Sequence, residues 1–237
     1  MKTLEEFKKE IRQLSDDIEN HYEKEEEPGV REVIGDGIAD VEKYYNASPK
    51  ILWILKEAYD KENNGKGGGV IAENLFNRGW MLGKNRSKGT WHPIIYTSYA
   101  ILNSNIGCYN DMDFIAGDPS MIDVLQKIAF INVSKFAGGT TSNNREISKA
   151  YQKHKEILLK QIKIFNSDVI IGGNTIRNFI DDLGLKDVPE EYDEYNFWRK
   201  DDKIYIAADH PARKRGKEWE EEYVDSILNI VRKNLKK

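Results

Sequence analysis

Four short apolar runs constrain this chain more than any other feature of it. They are Ile51-Leu52-Trp53-Ile54-Leu55, Ala129-Phe130-Ile131-Asn132-Val133, Asp168-Val169-Ile170-Ile171-Gly172-Gly173 and Lys203-Ile204-Tyr205-Ile206-Ala207-Ala208. Runs of this length without polar alternation are those of strands covered on both faces, the usual condition in a parallel sheet. Parallel neighbours need a long crossover, and the segments between the runs have the apolar spacing of helices. Alternation of strand and helix predicts a single three-layer α/β/α domain with a central parallel sheet of about four strands.

The helical segments follow from periodicity and capping. Leu4, Phe7, Ile11, Leu14 and Ile18 predict a helix over residues 3–26, with Thr3 and Glu6 spaced as a capping box and Pro28-Gly29 as its stop. A short helix is expected at 40–45, and longer ones at 93–103, 146–165, 175–183 and 218–235. Another over 120–127 is opened by Asp118-Pro119. Residues 196–198 read as a short extended piece before a turn at Asp201-Asp202. The expected organisation is an amino-terminal helical extension, residues 1–48, followed by one domain over 49–237.

Composition narrows the class. A chain of 237 residues with 39% hydrophobic content can build one large core. No apolar run approaches the roughly 18 residues of a membrane span, and the charged start of the chain lacks the apolar stretch of a secretory signal. A cytoplasmic protein is the expectation. With Cys108 as the one cysteine, neither an internal disulfide nor a cysteine-bound cluster can form. The net charge of −4 counts against a generally basic nucleic-acid binder. Local fields govern contact with phosphates, however, and basic residues gather at Lys135, Arg145, Lys149, Lys153 and Lys155, and again in Arg213-Lys214-Arg215-Gly216-Lys217. On charge alone, a solvated helix face and a loop are the preferred reading of these residues.

In an open parallel sheet, ligands sit beyond the carboxyl ends of the strands. The rule selects 56–60, 132–136, 172–174 and 209–212. Asn132, at a strand end, has an amide that can donate and accept at once, as reading a pyrimidine edge requires; tying down a loop is its plain alternative. His210 closes a buried strand and could donate a hydrogen bond to charge developing on a leaving group. His92 also precedes a proline, but there the pair reads as the first turn of a helix. Glu57 and Asp60 could orient a water or stabilise a cationic sugar; capping a helix or sitting in a solvated loop is equally ordinary for either. Gly67-Gly68-Gly69 lacks the Lys-Ser/Thr pair of a phosphate-binding P-loop, and clusters of metal-ligating residues are missing. Neither a metal nor another cofactor is expected.

In order, these segments resemble the uracil-DNA glycosylase superfamily. ILWILKEAYD, residues 51–60, is similar to its first motif and nearest the iron–sulfur branch, whose form is Gly-Glu-Ala-Pro-Gly; Glu57-Ala58 match, while Lys56, Tyr59 and Asp60 do not. Ile131-Asn132-Val133-Ser134-Lys135, with Arg145 downstream, resembles that branch's Asn-Val-x-Lys and Asn-Arg elements. DVIIGGNT at 168–175 resembles its third strand, and His210-Pro211-Ala212 its terminal His-Pro-Ser. Phe136 stands where the branch has a cysteine, and Ala58 where the most active uracil enzymes have a water-activating aspartate. The resemblance implies a flipped-out base held in a pocket and cleavage of its glycosidic bond by a monofunctional DNA glycosylase acting on uracil or another modified base. Asn132 would bond the base and His210 the departing base anion. Glu57 and Asp60 would place the water and sugar, and one of Phe76, Trp80 and Trp91 would stack on the base, each of them equally a core aromatic. Lys135, Arg145, Arg213, Lys214 and Arg215 would grip DNA phosphates. The alternative is a module of the same fold that binds nucleic acid or a nucleotide without cleaving it. An unrelated nucleotide- or sugar-binding α/β enzyme is a third.

Overall fold

In the computed structural model, the described residues are 2–23, 33–58, 78–83, 88–138, 141–185, 189–192, 194–213 and 216–235. The chain runs through α1 (Leu4–Glu23), β1 (Gly37–Ile38), α2 (Val41–Tyr45), β2 (Ile51–Leu55), α3 (Arg78–Leu82), α4 (Lys88–Leu102) and β3 (Ala129–Asn132). It continues through α5 (Asn144–Phe165), β4 (Val169–Gly173), β5 (Glu190–Tyr192), β6 (Tyr195–Lys200), β7 (Lys203–Ala208) and α6 (Lys217–Asn234). The described strands form one sheet of seven in the order β1-β3-β2-β4-β7-β6-β5. Its centre, β3-β2-β4-β7, is parallel throughout and comprises the four apolar runs. Antiparallel strands extend it at both margins.

Every residue of β2 and β4 is buried, as two-sided coverage demands. Ile51, Trp53, Leu55 and Phe130 face a core shared with α4 and α6, where the Trp53 indole donates to Ser98 Oγ at 3.0 Å. Leu52, Ile54, Ile131 and Ile170 face the opposite core, shared with α5 and α1. These are the three layers.

The amino-terminal helix belongs to that second core. Glu6 Oε2 accepts from the Thr3 amide at 2.8 Å while the Glu6 amide donates to Thr3 Oγ1 at 3.3 Å, so the capping box forms as read. Phe7, Leu14 and Tyr22 are buried against the sheet's own residues, and β1 joins β3. His21 Nε2 meets His154 Nδ1 of α5 at 3.0 Å. The described residues of this segment, 2–23 and 33–48, thus contribute to the core and to the sheet.

Three local expectations differ. The segment 175–183 is a single 3₁₀ turn, Ile176–Asn178, followed by further turns. Thr175 spends its hydroxyl on Ile54 O at 2.8 Å, which pins the turn to the sheet in place of starting a helix. Pro119–Gln126 is likewise 3₁₀, opened by Asp118 as expected. Pro93 lies inside α4, which is already helical at Lys88, so His92-Pro93 is no first turn. The hairpin joining β6 to β7 has two loop residues, Asp201 and Asp202, with φ of 52° and 59°, the geometry of a type I′ connection.

If α1 shares the sheet's core, Leu14→Ala should cost about 2–5 kcal/mol of global stability. Urea unfolding followed by far-ultraviolet dichroism and by tryptophan fluorescence should then shift as one transition. A helix signal lost before the fluorescence change would show that α1 unfolds by itself.

Candidate active site at the carboxyl edge

Register lines up the ends of the four parallel strands. Asn132 pairs with Leu55, Ile54 with Gly172, and Gly173 with Ala208, so positions 132, 55, 173 and 208 fall on one line across the sheet. Three strand spacings of about 4.8 Å put the backbones at 132 and 208 roughly 14 Å apart. That is the width of a nucleobase with a hydrogen bond and a short side chain on either side. Beyond the strands the first two loops stay joined, with Val133 N donating to Leu55 O at 2.9 Å, Ser134 N to Lys56 O at 2.9 Å and Gly138 N to Ala58 O at 2.8 Å. The glycine at 173 allows the remaining loop to close over the edge. A Cβ there would stand 3.1 Å from Pro211 Cδ and 3.2 Å from Leu55 Cδ2.

Asn132 is 2% exposed and fixed by its backbone. Its amide donates to Asp36 Oδ2 at 2.6 Å, and its carbonyl accepts from Lys135 Nζ at 3.1 Å. Among the described residues its side-chain amide forms no hydrogen bond, so both its donor and its acceptor are unspent. By strand alternation it shares a face with Phe130. Lys135 turns inward: its ammonium reaches both oxygens of Asp36 at 2.7 and 2.9 Å, with both side chains 1% exposed. Asp36 also accepts from Gln161 Nε2 at 3.2 Å. Lys135 is therefore an internal brace of the Asn132 loop and is corrected from a phosphate contact. The ladder and the buried pair give its side chain no path to the surface.

His210 is partly buried. The Ala212 amide donates to its Nδ1 at 3.1 Å, so in the neutral ring the proton resides on Nε2. Burial, and then the charge of Lys56, lower its pKa to about 4. The result is a neutral imidazole with a fixed tautomer and an Nε2 proton that no described residue accepts.

Glu57 is half-buried and lies across Gly138, where a Cβ would come within 2.0 Å of its carboxyl carbon. Lys56 is 9% exposed; burial, then the Arg177 guanidinium, lower its pKa, with Glu57 opposing them. Lys56 lies in the edge segment 56–60 that the sequence selects but receives no role there, and Arg177 is not selected at all. Arg177 sits on an exposed turn whose proximity to position 56 is created only by the pairing of β2 with β4. Glu57, Lys56 and His210 are thus electrostatic neighbours, and Asn132 lies on the adjoining strand end.

Other candidates are placed differently. Trp91 is 6% exposed and packs edge-on against Phe130 with centroids 5.2 Å apart; it is a core aromatic, because α4 lies flat on the sheet there. Trp80 has its backbone in α3 while its side chain lies outside the described residues, as do Asp60, Phe76, Lys214 and Arg215. Arg213 is exposed and folds back to pair with Asp209. Arg145 is exposed in the first turn of α5, on the same edge of the sheet. Two surface clefts, of about 360 and 540 Å³, lie at the opposite edge around Lys203 and Lys43. Among the described residues no three metal-ligating side chains gather, and no helix is long and apolar enough to cross a membrane. No family model matches the chain, and no curated protein matches it.

Two measurements follow. Asp36→Ala strands a buried ammonium and should cost about 3–5 kcal/mol in urea unfolding, most of it recovered in Asp36→Leu/Lys135→Met. Equal losses in single and double variants would mean the pair is incidental to the brace. For His210, the folded state disfavours the proton, so its contribution is complete above pH 6.5 and lost as pH falls toward about 4. Relative to His210→Gln, the wild type should lose up to roughly 3 kcal/mol of stability across that window. Parallel stability–pH curves would refute the shift.

Proposed function

We propose that the protein is a DNA glycosylase that hydrolyses the N-glycosidic bond of uracil or another modified base flipped out of DNA. The observation carrying the proposal is the neutral imidazole of His210, its Nδ1 occupied by the Ala212 amide and its Nε2 proton free to be donated, at the edge that bears the unspent amide of Asn132. A base leaves as an anion if a preorganised donor meets the charge as it develops, and such a donor is worth about 3 kcal/mol. A donor that is already neutral spends nothing on losing a competing charge. Asn132 would select the base by its Watson–Crick edge, and Glu57, held over Gly138, would orient the attacking water and favour the cationic sugar. Arg145 and the exposed side of the His210 loop would meet phosphates. DNA as partner and a cytoplasmic setting belong to the same proposal.

One observation favours a second reading, a base-binding module without chemistry. Ala58 offers a water no side-chain group, and its carbonyl is taken by Gly138.

The two readings separate on a panel of duplexes, each carrying one modified base, incubated with protein and then treated with alkali. Strand scission at one base supports the glycosylase. His210→Ala should then lose about a hundredfold in rate while retaining DNA binding, and Asn132→Ala should lose discrimination among bases. Binding to one such duplex with no scission across the panel would favour the module. An unaltered rate in His210→Ala would remove the imidazole from the mechanism.

A further inference from the structure

The mechanism above leaves one reactive group at the edge without a task. Lys56 is 9% exposed, and among the described residues no hydrogen-bond acceptor or ion pair holds its amine. Its backbone is clamped, since its carbonyl accepts from Ser134 at 2.9 Å and the preceding residue is the last of β2. Buried lysines ordinarily have a carboxylate partner. Lys135, three residues beyond the neighbouring strand, has one in contact. At Lys56 the attraction of Glu57 makes no ion pair and is outweighed by burial and the repulsion of Arg177, and the amine is close enough to His210 for the two to interact. An amine desolvated beside another cation is the form in which lysine acts as a nucleophile toward carbonyl carbon. The same surroundings favour its unprotonated state.

We propose that Lys56 is an amine nucleophile for the aldehyde carbon of an abasic deoxyribose, giving the site a lyase activity on the product of base removal. This rests on the base-excision reading for its substrate class. Loss of the base leaves C1′ as a hemiacetal in equilibrium with the open-chain aldehyde. The Nζ lone pair forms a bond to C1′, and the carbonyl oxygen departs as water after taking up the amine's proton and one from solvent, leaving an iminium. C2′ then gives a proton to solvent, its electrons form the C2′–C3′ double bond, and the C3′–O bond breaks with the 3′-phosphate as leaving group. Water hydrolyses the iminium, restoring the free amine and releasing an unsaturated aldehyde and a proton. No oxidant or metal enters. Each lyase turnover nets the release of one proton, matching conversion of a phosphodiester to a phosphate monoester.

The test uses the full chain and a duplex with one preformed abasic site, so that no base need be removed first. Borohydride reduces the iminium to a stable amine and traps a protein–DNA adduct. The adduct is expected on the peptide containing Lys56. Its yield should fall at least tenfold in Lys56→Gln and stay unchanged in Lys163→Gln, an exposed lysine of the last turn of α5 at the opposite edge. Arg177→Gln should move the pH midpoint of trapping upward, since it removes a charge that favours the free amine. Peptide mapping on the wild type decides the matter even if Lys56→Gln folds poorly. No adduct, or an adduct on other lysines, overturns the proposal. The alkali assay is independent: base release without trapping would sink the lyase alone, and trapping on Lys56 without base release would sink the glycosylase reading alone.

Discussion

Parallel pairing of β2 with β3 on one side and β4 on the other is the constraint on which the site depends. Only a parallel arrangement brings four chain reversals to the same edge, and only one register makes 132, 55, 173 and 208 collinear. A slip of one residue in β3 would turn Asn132 into the opposite core, because side chains alternate with a period of two. Polarity alone would not oppose such slips where apolar residues fill β2, β3 and β4; specific contacts do, as where the Trp53 indole donates to Ser98 Oγ at 3.0 Å. The fold therefore fixes where the reactive groups stand before any of them interacts.

The loops beyond the strands need constraints of their own, and these are polar. A buried carboxylate, Asp36, accepts from the Asn132 amide, the Lys135 ammonium and the Gln161 side chain, and so joins the amino-terminal segment, the β3 loop and α5 at one point. Buried ion pairs add little net stability against an apolar replacement, because desolvation offsets most of the attraction. Directionality is what such a pair provides here. A carboxylate that must receive these donors tolerates one loop conformation, and that conformation keeps the Asn132 side chain out of the network. Gly138 and Gly173 serve the same edge by omission, as each gives the room that Glu57 or Pro211 occupies.

What could be read in advance divides along the same line. The four strands, α1 with its capping box and the long helices are encoded by local pattern, and the edge rule located positions 57, 132 and 210 from chain order alone. Misreadings arose where a residue's role is set by a distant one. Lys135 looks like a surface base in sequence, and the acid that pairs with it lies 99 residues earlier, between two glycines. Gly35-Asp36-Gly37 was a usable signal, since an acid flanked by glycines allows close backbone approach, yet nothing local states what it binds. Trp91 looked available for stacking because α4 was expected to begin later than it does. Lys56 and Arg177 are 121 positions apart, and no one-dimensional pattern joins them.

The electrostatics of the edge run opposite to the charge of the whole molecule. The chain carries a net −4, yet Lys56, Arg177 and His210 crowd one line of strand ends, with Glu57 as the acid that partly opposes them. Crowding of basic groups has two ordinary outcomes. An anion can settle among them, or the more buried groups can give up their protons. His210 has taken the second course, and burial presses Lys56 the same way. Arg177 and Arg145 stand exposed at the rim of this edge, and inside it lie the neutral imidazole of His210 and the amine of Lys56, whose pKa burial lowers. That gradation places positive potential at the rim, where an anion would first approach, and behind it groups that burial presses toward their uncharged forms.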